Sequence, residues 1–369
     1  MSVNLDIRNI ESSAAVEMYI SATSGENMAL RAQWEEIFSS TWDVISSKKA
    51  YILEERVFGT PQAMEIAAEI RSNVYGENDD GVKPSFLVGK EDVHYPNAGV
   101  VVHAVISNCA PEIINFEGVP CGRILHINDL AYLTLSGITD GAETNATEQA
   151  LAMLEKGESI LKQYGADFHS VARTWMWLND ILSWYDDFNQ VRNKFFTERN
   201  LIGQGVQALM PASTGIGLGP VSGQWCSMDL AAVIKPVDSI EYLRTTGKQH
   251  CAYDYGSAFS RATRAVSPAG NTVFISGTAS IDVCGTTTNI GDASAQIKAT
   301  IENVQAVLEE MACGDEDVIQ VVAYCKTTDV EDIFKALDDK PSWPWVTVIC
   351  DVCRDDLLFE IEAAAMPKS

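Results

Sequence analysis

One supersecondary unit is written three times along this chain, and that repetition constrains the fold more than any other feature. The last copy is the clearest. NTVFISGTASI (271–281) is rich in β-branched residues and ends in small ones, which predicts a strand. ASAQIKATIENVQAVLEEMA (293–312) follows, with Ile297, Ile301, Val304, Val307, Leu308 and Met311 at helical spacing. A strand VIQVVAYCKT (318–327), a short helix VEDIFKALDD (330–339) and a strand pair, WVTVICDVC (345–353) and LLFEIEAAA (357–365), complete the unit. The middle copy keeps this order. DLAYLTLSGIT (129–139), the helix 146–165, HSVARTWMWL (169–178) and the helix 181–196 come first, and the stretch from MPASTGIG (210–217) to DLAAVIKP (229–236) stands in the closing pair. A fainter first copy runs through AVEMYISATSG, QWEEIFSSTWDVI, KAYILEERVFGT, PQAMEIAAEIRSNVYG and GVVVHAVIS.

The expected units are 1–109, 110–236 and 237–369. A β-α-β-α-β-β order predicts an α/β (α+β) unit, a sheet with both helices on one face. No Pro/Gly/Ser-rich linker separates the copies, so beads on a string are not expected. Three such sheets would gather about a pseudo-threefold axis and bury their helices or sheet edges against one another. One chain would then be a monomer equivalent to a trimer.

Charge narrows the partners. A net charge of −25 repels nucleic acid and anionic membrane, and no apolar run approaches the ~20 residues that span a bilayer. The opening MSVNLDIRNIESS lacks a basic patch followed by an apolar stretch, so a cytoplasmic location is expected. An acidic protein that binds an anionic small molecule must place its cations locally, which makes each arginine informative. The nine cysteines include one close pair, Cys350 and Cys353, inside an apolar β-like run where residues three apart face opposite ways. They read as core thiols. The five histidines show no HxxxH or HxH spacing, and neither a metal nor another cofactor is expected.

ISGTASI and FEIEAAA resemble the Rid/YjgF family of small trimeric imine deaminases. VARTWMWLNDILSWYDDFNQVRNKFFTERNLIG, MPASTGIG, YGSAFSRA, ISGTASI and CRDDLLFEIEA, in that order, resemble the chorismatases. The second resemblance runs from about residue 128 to the end. It implies three Rid-like domains, one working site between the middle and C-terminal domains, and chorismate as substrate. Glu360 then matches the family's acidic residue. Strand alternation puts Leu358, Glu360 and Glu362 on one face and Leu357, Phe359 and Ile361 on the other. Without the resemblance, that acidic face would simply meet solvent; Glu362 ranks second as the acid.

The implied chemistry suits a carboxylic acid. Protonating the methylene carbon of chorismate's enolpyruvyl ether gives an oxocarbenium ion. Water adds, and the hemiketal collapses to pyruvate and a dihydroxycyclohexadiene carboxylate. A general acid needs its proton at neutral pH, so Glu360 should be buried with a raised pKa. Two substrate carboxylates call for arginine forks. Arg192 shares a helix face with Tyr185 and Phe188, either as a ligand or as a packed stem with its head in water. Arg261 in AFSRATRA and Arg173 in ARTWMWL come next, although Arg173 with Trp175 and Trp177 also reads as core. Arg354 is either a ligand or a surface residue. Tyr255, Ser213 and Thr214 are candidate donors, though ASTG is equally a turn. Gly277 and Ala279 are small residues at a strand end, where a ligand can approach. Ala279 and Cys353 are candidates for deciding the product. The reading leans to simple hydrolysis, with 3-hydroxybenzoate as the aromatic alternative.

Two other readings stay open. Rid deaminases carry a carboxylate-binding arginine about fifteen residues before the terminal glutamate. Counting back from Glu360 gives Trp345, and the middle copy offers Ser213. An imine-deaminase site therefore looks lost, but the activity is an alternative, as is a ligand-binding scaffold without catalysis.

Overall fold

The computed structural model describes residues 3–25, 28–202 and 208–367. The first unit contains β1 (Asn4–Glu11), β2 (Ala15–Thr23), α1 (Leu30–Ser47), β3 (Tyr51–Gly59), α2 (Pro61–Tyr75), β4 (Ser85–Val88) and β5 (Asn97–Ser107). The middle unit contains β6 (Glu112–Phe116), β7 (Val119–Ile127), β8 (Leu130–Ile138), α3 (Ala146–Gln163), β9 (Val171–Leu178), α4 (Ile181–Glu198), β10 (Ala212–Ile216), β11 (Gly219–Pro220) and β12 (Cys226–Lys235). The last unit contains β13 (Glu241–Leu243), β14 (Ala262–Ser267), β15 (Gly270–Ala279), α5 (Ala293–Glu310), β16 (Val318–Cys325), α6 (Thr328–Lys335), β17 (Trp345–Ile349) and β18 (Phe359–Ala365).

The three sheets share one topology. Their orders are β1-β2-β5-β3-β4-β11, β6-β7-β8-β12-β9-β10 and β13-β14-β15-β18-β16-β17. In each, one parallel pair (β3/β4, β9/β10, β16/β17) is joined by a helical crossover, and the other neighbours are antiparallel. The expected mixed α/β unit is present, with three differences. Each unit gains an early strand (β1, β7, β14) whose polar or small residues gave little strand signal. The two closing strands are not a pair, because β16 lies between β17 and β18, and β9 lies between β10 and β12. Finally, β11 of the middle unit pairs with β4 and extends the first unit's sheet.

Side-chain polarity explains how the sheets assemble. Helices α1 and α2 cover a core of Trp34, Ile37, Phe38, Met64 and Ile70 in the first unit, and the other units repeat this. Four of the helices begin on a side-chain cap: Thr60 for α2, Asn145 for α3, Asp292 for α5 and Thr327 for α6. The opposite faces of the sheets share a single core that includes Tyr19, Phe58, Leu125, Tyr132, Trp175, Trp177, Phe274 and Tyr324. The units therefore meet through their open sheet faces. The expectation that they bury helices against one another is corrected, because each helix already spends its apolar stripe on its own sheet, leaving the other sheet face in need of cover; edge strands do reach neighbouring units, as where β11 pairs with β4.

Buried charges sit where the units meet. Glu362 Oε1 accepts from Arg56 Nη1 at 3.1 Å and Trp175 Nε1 at 3.0 Å, and its Oε2 accepts from Arg173 Nη2 at 2.9 Å. Arg56 also donates to Gln320 Oε1 at 3.1 Å, and its guanidinium lies 4.1 Å from the Trp175 ring centre. One carboxylate thus holds arginines from both other units. At the first–last seam, Glu17 accepts from Ser267 Oγ and Ala269 N, both at 2.7 Å. At the first–middle seam, Asp229 accepts from Ser85 Oγ and Gly137 N, both at 2.6 Å, and from Trp177 Nε1 at 2.9 Å. Removing one partner of a buried pair strands the other charge. An Arg56→Ala variant should lose about 3–5 kcal/mol of stability, read as a lowered urea midpoint with α-helical circular dichroism retained in the native baseline.

Candidate active site

Glu360 is placed by strand alternation and a local irregularity. On β18, Phe359 and Ile361 point into the helix-covered core, while Glu360 and Glu362 point towards the other units. Leu357 and Leu358 precede the strand, so the expected alternation fails for them: Leu357 lies in the central core, and Leu358 packs on the outer one. The β15–β18 register slips between Ile275↔Ala363 and Thr278↔Ile361, one extra residue on β15. This bulge brings Gly277 against the Glu360 carboxyl. A Cβ on Gly277 would collide with Glu360 Oε1, so any larger residue there must displace the carboxyl.

The pocket around Glu360 spans the seam between the middle and last units, with free space of ≈ 500 Å³ that includes open solvent at its mouth. Tyr185 and Arg192 come from α4, Ser213 and Gly215 from β10. Gly277, Ala279 and Ile281 come from the end of β15 and just beyond, and Cys353, Arg354 and Leu357 from the turn before β18. Tyr255, Ser257, Phe259 and Arg261 precede β14. The seam is tied by Ser213 N donating to Ser276 Oγ at 2.8 Å and Thr263 Oγ1 donating to the Ala172 carbonyl at 2.8 Å.

Three guanidiniums share this pocket with three aromatic rings, Tyr185, Tyr255 and Phe259. Arg192 is 1% exposed; its Nη2 donates to Asn189 Oδ1 at 2.6 Å, and its buried Nε has no partner. Arg261 Nε and Nη2 donate to the His250 carbonyl at 3.0 and 2.8 Å, and Nη2 also donates to the Tyr255 hydroxyl at 2.8 Å. Arg354 Nη1 donates to the Gly285 carbonyl at 2.5 Å. Phe259 lies between Arg192 and Arg261, 5.8 and 5.5 Å from their guanidiniums, and Tyr255 lies between Arg261 and Arg354 at 5.5 and 5.6 Å. Among the described residues, none of the three forms an ion pair. Buried cations without counter-ions are costly, and an anionic ligand would supply the missing charge.

Electrostatics at Glu360 run the other way. Burial chiefly, then the negative charge of Glu362, push its pKa up to about 8, with Arg173 and Arg354 pulling partly back. Glu360 therefore holds its proton at neutral pH. Burial also lifts the Tyr185 hydroxyl and the Cys353 thiol to about 12, so both stay protonated donors.

Ten of the twelve sequence-derived candidates line this pocket: Glu360, Arg192, Arg261, Tyr185, Tyr255, Ser213, Gly277, Ala279, Cys353 and Arg354. Arg173 and Thr214 do not. Arg173 binds Glu362 and donates to Thr214 Oγ1, so the two form a buried layer behind Glu360. Cys350 is in the central core, and among the described residues no group of three or more His, Cys, Asp or Glu side chains is placed to hold a metal. Ser257, Phe259, Gly215, Ile281 and Leu357 were not anticipated. Ser257 and Phe259 lie within the YGSAFSRA motif, between two residues that were. Strand register puts Ser213 opposite Thr174 and Trp345 opposite Val321, so these occupy matching places in two units. Ser213 lines the pocket; Trp345 belongs to a different cleft.

Fold and site together define a chain of three related α/β units with one buried, protonated acid in a single arginine-rich seam. The endoribonuclease L-PSP family model, which describes the Rid/YjgF domain, matches residues 255–367. A 3-hydroxybenzoate synthase from Streptomyces hygroscopicus is 28% identical over 255 residues, covering 61% of this chain and 71% of that protein. The crystal structure of a chorismatase, 19% identical, covers 98% of this chain and 100% of its own with a TM-score of 0.63. The chain thus has the chorismatase fold built on Rid/YjgF-like units, and its sequence resemblance to that family stands.

The raised pKa of Glu360 has a stability consequence. Between the ordinary value of 4.5 and about 8, the folded protein holds a proton that the unfolded chain releases. The contribution is complete at low pH and is lost as pH rises through about 8. A Glu360→Gln variant should gain stability relative to the parent by a few kcal/mol across that window, seen as diverging urea midpoints between acidic and alkaline buffers.

Proposed function

We propose that this protein releases pyruvate from chorismate, with Glu360 as general acid. The observation that carries the reading is a buried carboxyl that keeps its proton at neutral pH, facing three guanidiniums without acidic partners. Arg192, Arg261 and Arg354 hold the two substrate carboxylates. Glu360 gives its proton to the methylene carbon of the enolpyruvyl ether, and positive charge develops on the adjacent ether carbon. The Glu360 carboxylate formed in that step, with Glu362 behind it, stabilises the cation. Arg354 and Arg173 in turn stabilise the new carboxylate.

Two outcomes balance. Capture by water consumes one water and gives pyruvate plus a dihydroxycyclohexadiene carboxylate. Attack of the neighbouring ring hydroxyl on the ether-bearing ring carbon instead expels pyruvate as that carbon–oxygen bond breaks; the epoxide left behind opens at its other carbon, and loss of the proton from the former ether-bearing carbon gives 3-hydroxybenzoate with no water consumed. The relative named as a 3-hydroxybenzoate synthase supports the second outcome over the hydrolysis favoured by sequence alone. So does the apolar wall of Ala279, Ile281 and Leu357, which offers a capturing water few partners. The net charge of −25 and the pocket's size disfavour a polynucleotide substrate, despite the description of the matching family model.

Incubating the purified protein with chorismate tests the reading. Pyruvate should appear, and Glu360→Gln should reduce its release by roughly 10²–10⁴-fold, the worth of a positioned acid. Parent activity should decline above about pH 8 as Glu360 ionises. No pyruvate from the folded parent would overturn the proposal, and a product spectrum with only the diene would overturn the aromatic outcome. Gly277→Ala should leave the fold intact and lower turnover by about 100-fold, because a displaced acid misses its geometry; thermal melting beside the kinetics separates the two effects.

A further inference from the structure

The pseudo-threefold arrangement makes three seams, and they differ. In the active seam, the α4/β10 side of the middle unit faces β15 and β18 of the last. The next seam presents the α6/β17 side of the last unit to β2 and β5 of the first. There, Trp345 stands where Ser213 does, and Thr347, opposite Ala323, stands where Gly215 does, opposite Met176. The third seam is filled by β11, which lies against β4.

The last–first seam is open, with free space of ≈ 1130 Å³ counted as before, about twice that around Glu360. Gly99, opposite Phe58, holds the place that Glu360 holds opposite Tyr324. The seam's charge is inverted relative to the molecule, since the lining carries Lys90, Lys335 and Lys340 against Glu331. Lys90 pairs with Asp351 at 2.7 Å and Lys335 with Glu331 at 3.0 Å. Lys340 has no acidic partner among the described residues. Its Nζ donates to the carbonyls of Lys335 at 3.0 Å and Leu337 at 2.8 Å, which fixes the ammonium and leaves its third donor uncommitted. It sits 5.7 Å from the Phe334 ring centre, and Phe334 packs edge-on against Trp345 at 4.9 Å.

We propose that this seam is a second, non-catalytic site that binds a small aromatic carboxylate, its anion on Lys340 and its ring against Trp345 and Phe334. An anchored cation beside an aromatic wall, in a roomy cleft, recognises that chemistry. The proposal does not rest on chorismate turnover.

Two measurements on the full chain test it. Crystals soaked in 3-iodobenzoate should show anomalous iodine signal beside Trp345 and Phe334. Benzoate titrated calorimetrically should bind at a site whose affinity drops about tenfold or more in Lys340→Glu and also falls in Lys340→Met, as loss of a charge-assisted contact implies. Both variants should melt like the parent and keep its turnover of chorismate, whatever that turnover is. Iodine confined to the Glu360 pocket, or benzoate binding unchanged in both lysine variants, would overturn the second site while leaving the catalytic reading untouched.

Discussion

The hydrogen-bonded carboxyl of Glu362 is the interaction on which the rest of this structure depends. It is buried where all three units meet and takes hydrogen bonds from Arg56, Arg173 and Trp175. Each of those groups would be costly to bury alone, so each is satisfied only where the units meet. Its charge also reaches Glu360, two residues earlier on the same strand face, where it opposes ionisation. One group therefore both ties the units together and helps burial keep the proton on Glu360. The layer of Arg173 and Thr214 behind the pocket shows why the two roles are joined: the wall of the site is the centre of the fold.

Repetition supplies the frame, and divergence at matching positions makes the seams differ. Glu360, Ser227 and Gly99 occupy one register position on the three central strands, opposite Tyr324, Trp177 and Phe58. The large residues opposite them stay aromatic and build the common core. The position facing them changes from acid to hydroxyl to nothing. Conserving bulk on one strand while varying polarity on its neighbour lets each seam take a different task without disturbing the packing.

How much of this was legible in the sequence follows from the range of each signal. Periodicity reported Ile297, Ile301 and Val304 as one helix stripe, because that pattern is local. It missed β1 and β7, whose strands carry polar or small residues, and it missed β11, two residues whose pairing is decided by a distant edge. At the site, type and spacing found Arg192 on the face of Tyr185 and Phe188, and resemblance found Glu360. Neither revealed that Arg173 points to Glu362 instead of the pocket, since both directions suit a buried arginine. Phe259 was invisible for a different reason: its place between two guanidiniums exists only after α4 and the loop before β14 come together.

Covalent linkage of the three units carries a consequence for what can stand on the axis. In a ring of identical subunits, any residue near the rotation axis appears there three times. A glutamate would face two copies of itself, and an arginine likewise. Here the matching positions are Glu362, Asp229 and Val101 on one set of strands, and Val322, Trp175 and Arg56 on their partners. An acid, an indole and a base can therefore meet at the centre as a complementary set, which no exact threefold could permit. Fusion into one polypeptide turned a place where like charges would collide into a place where unlike ones can be joined.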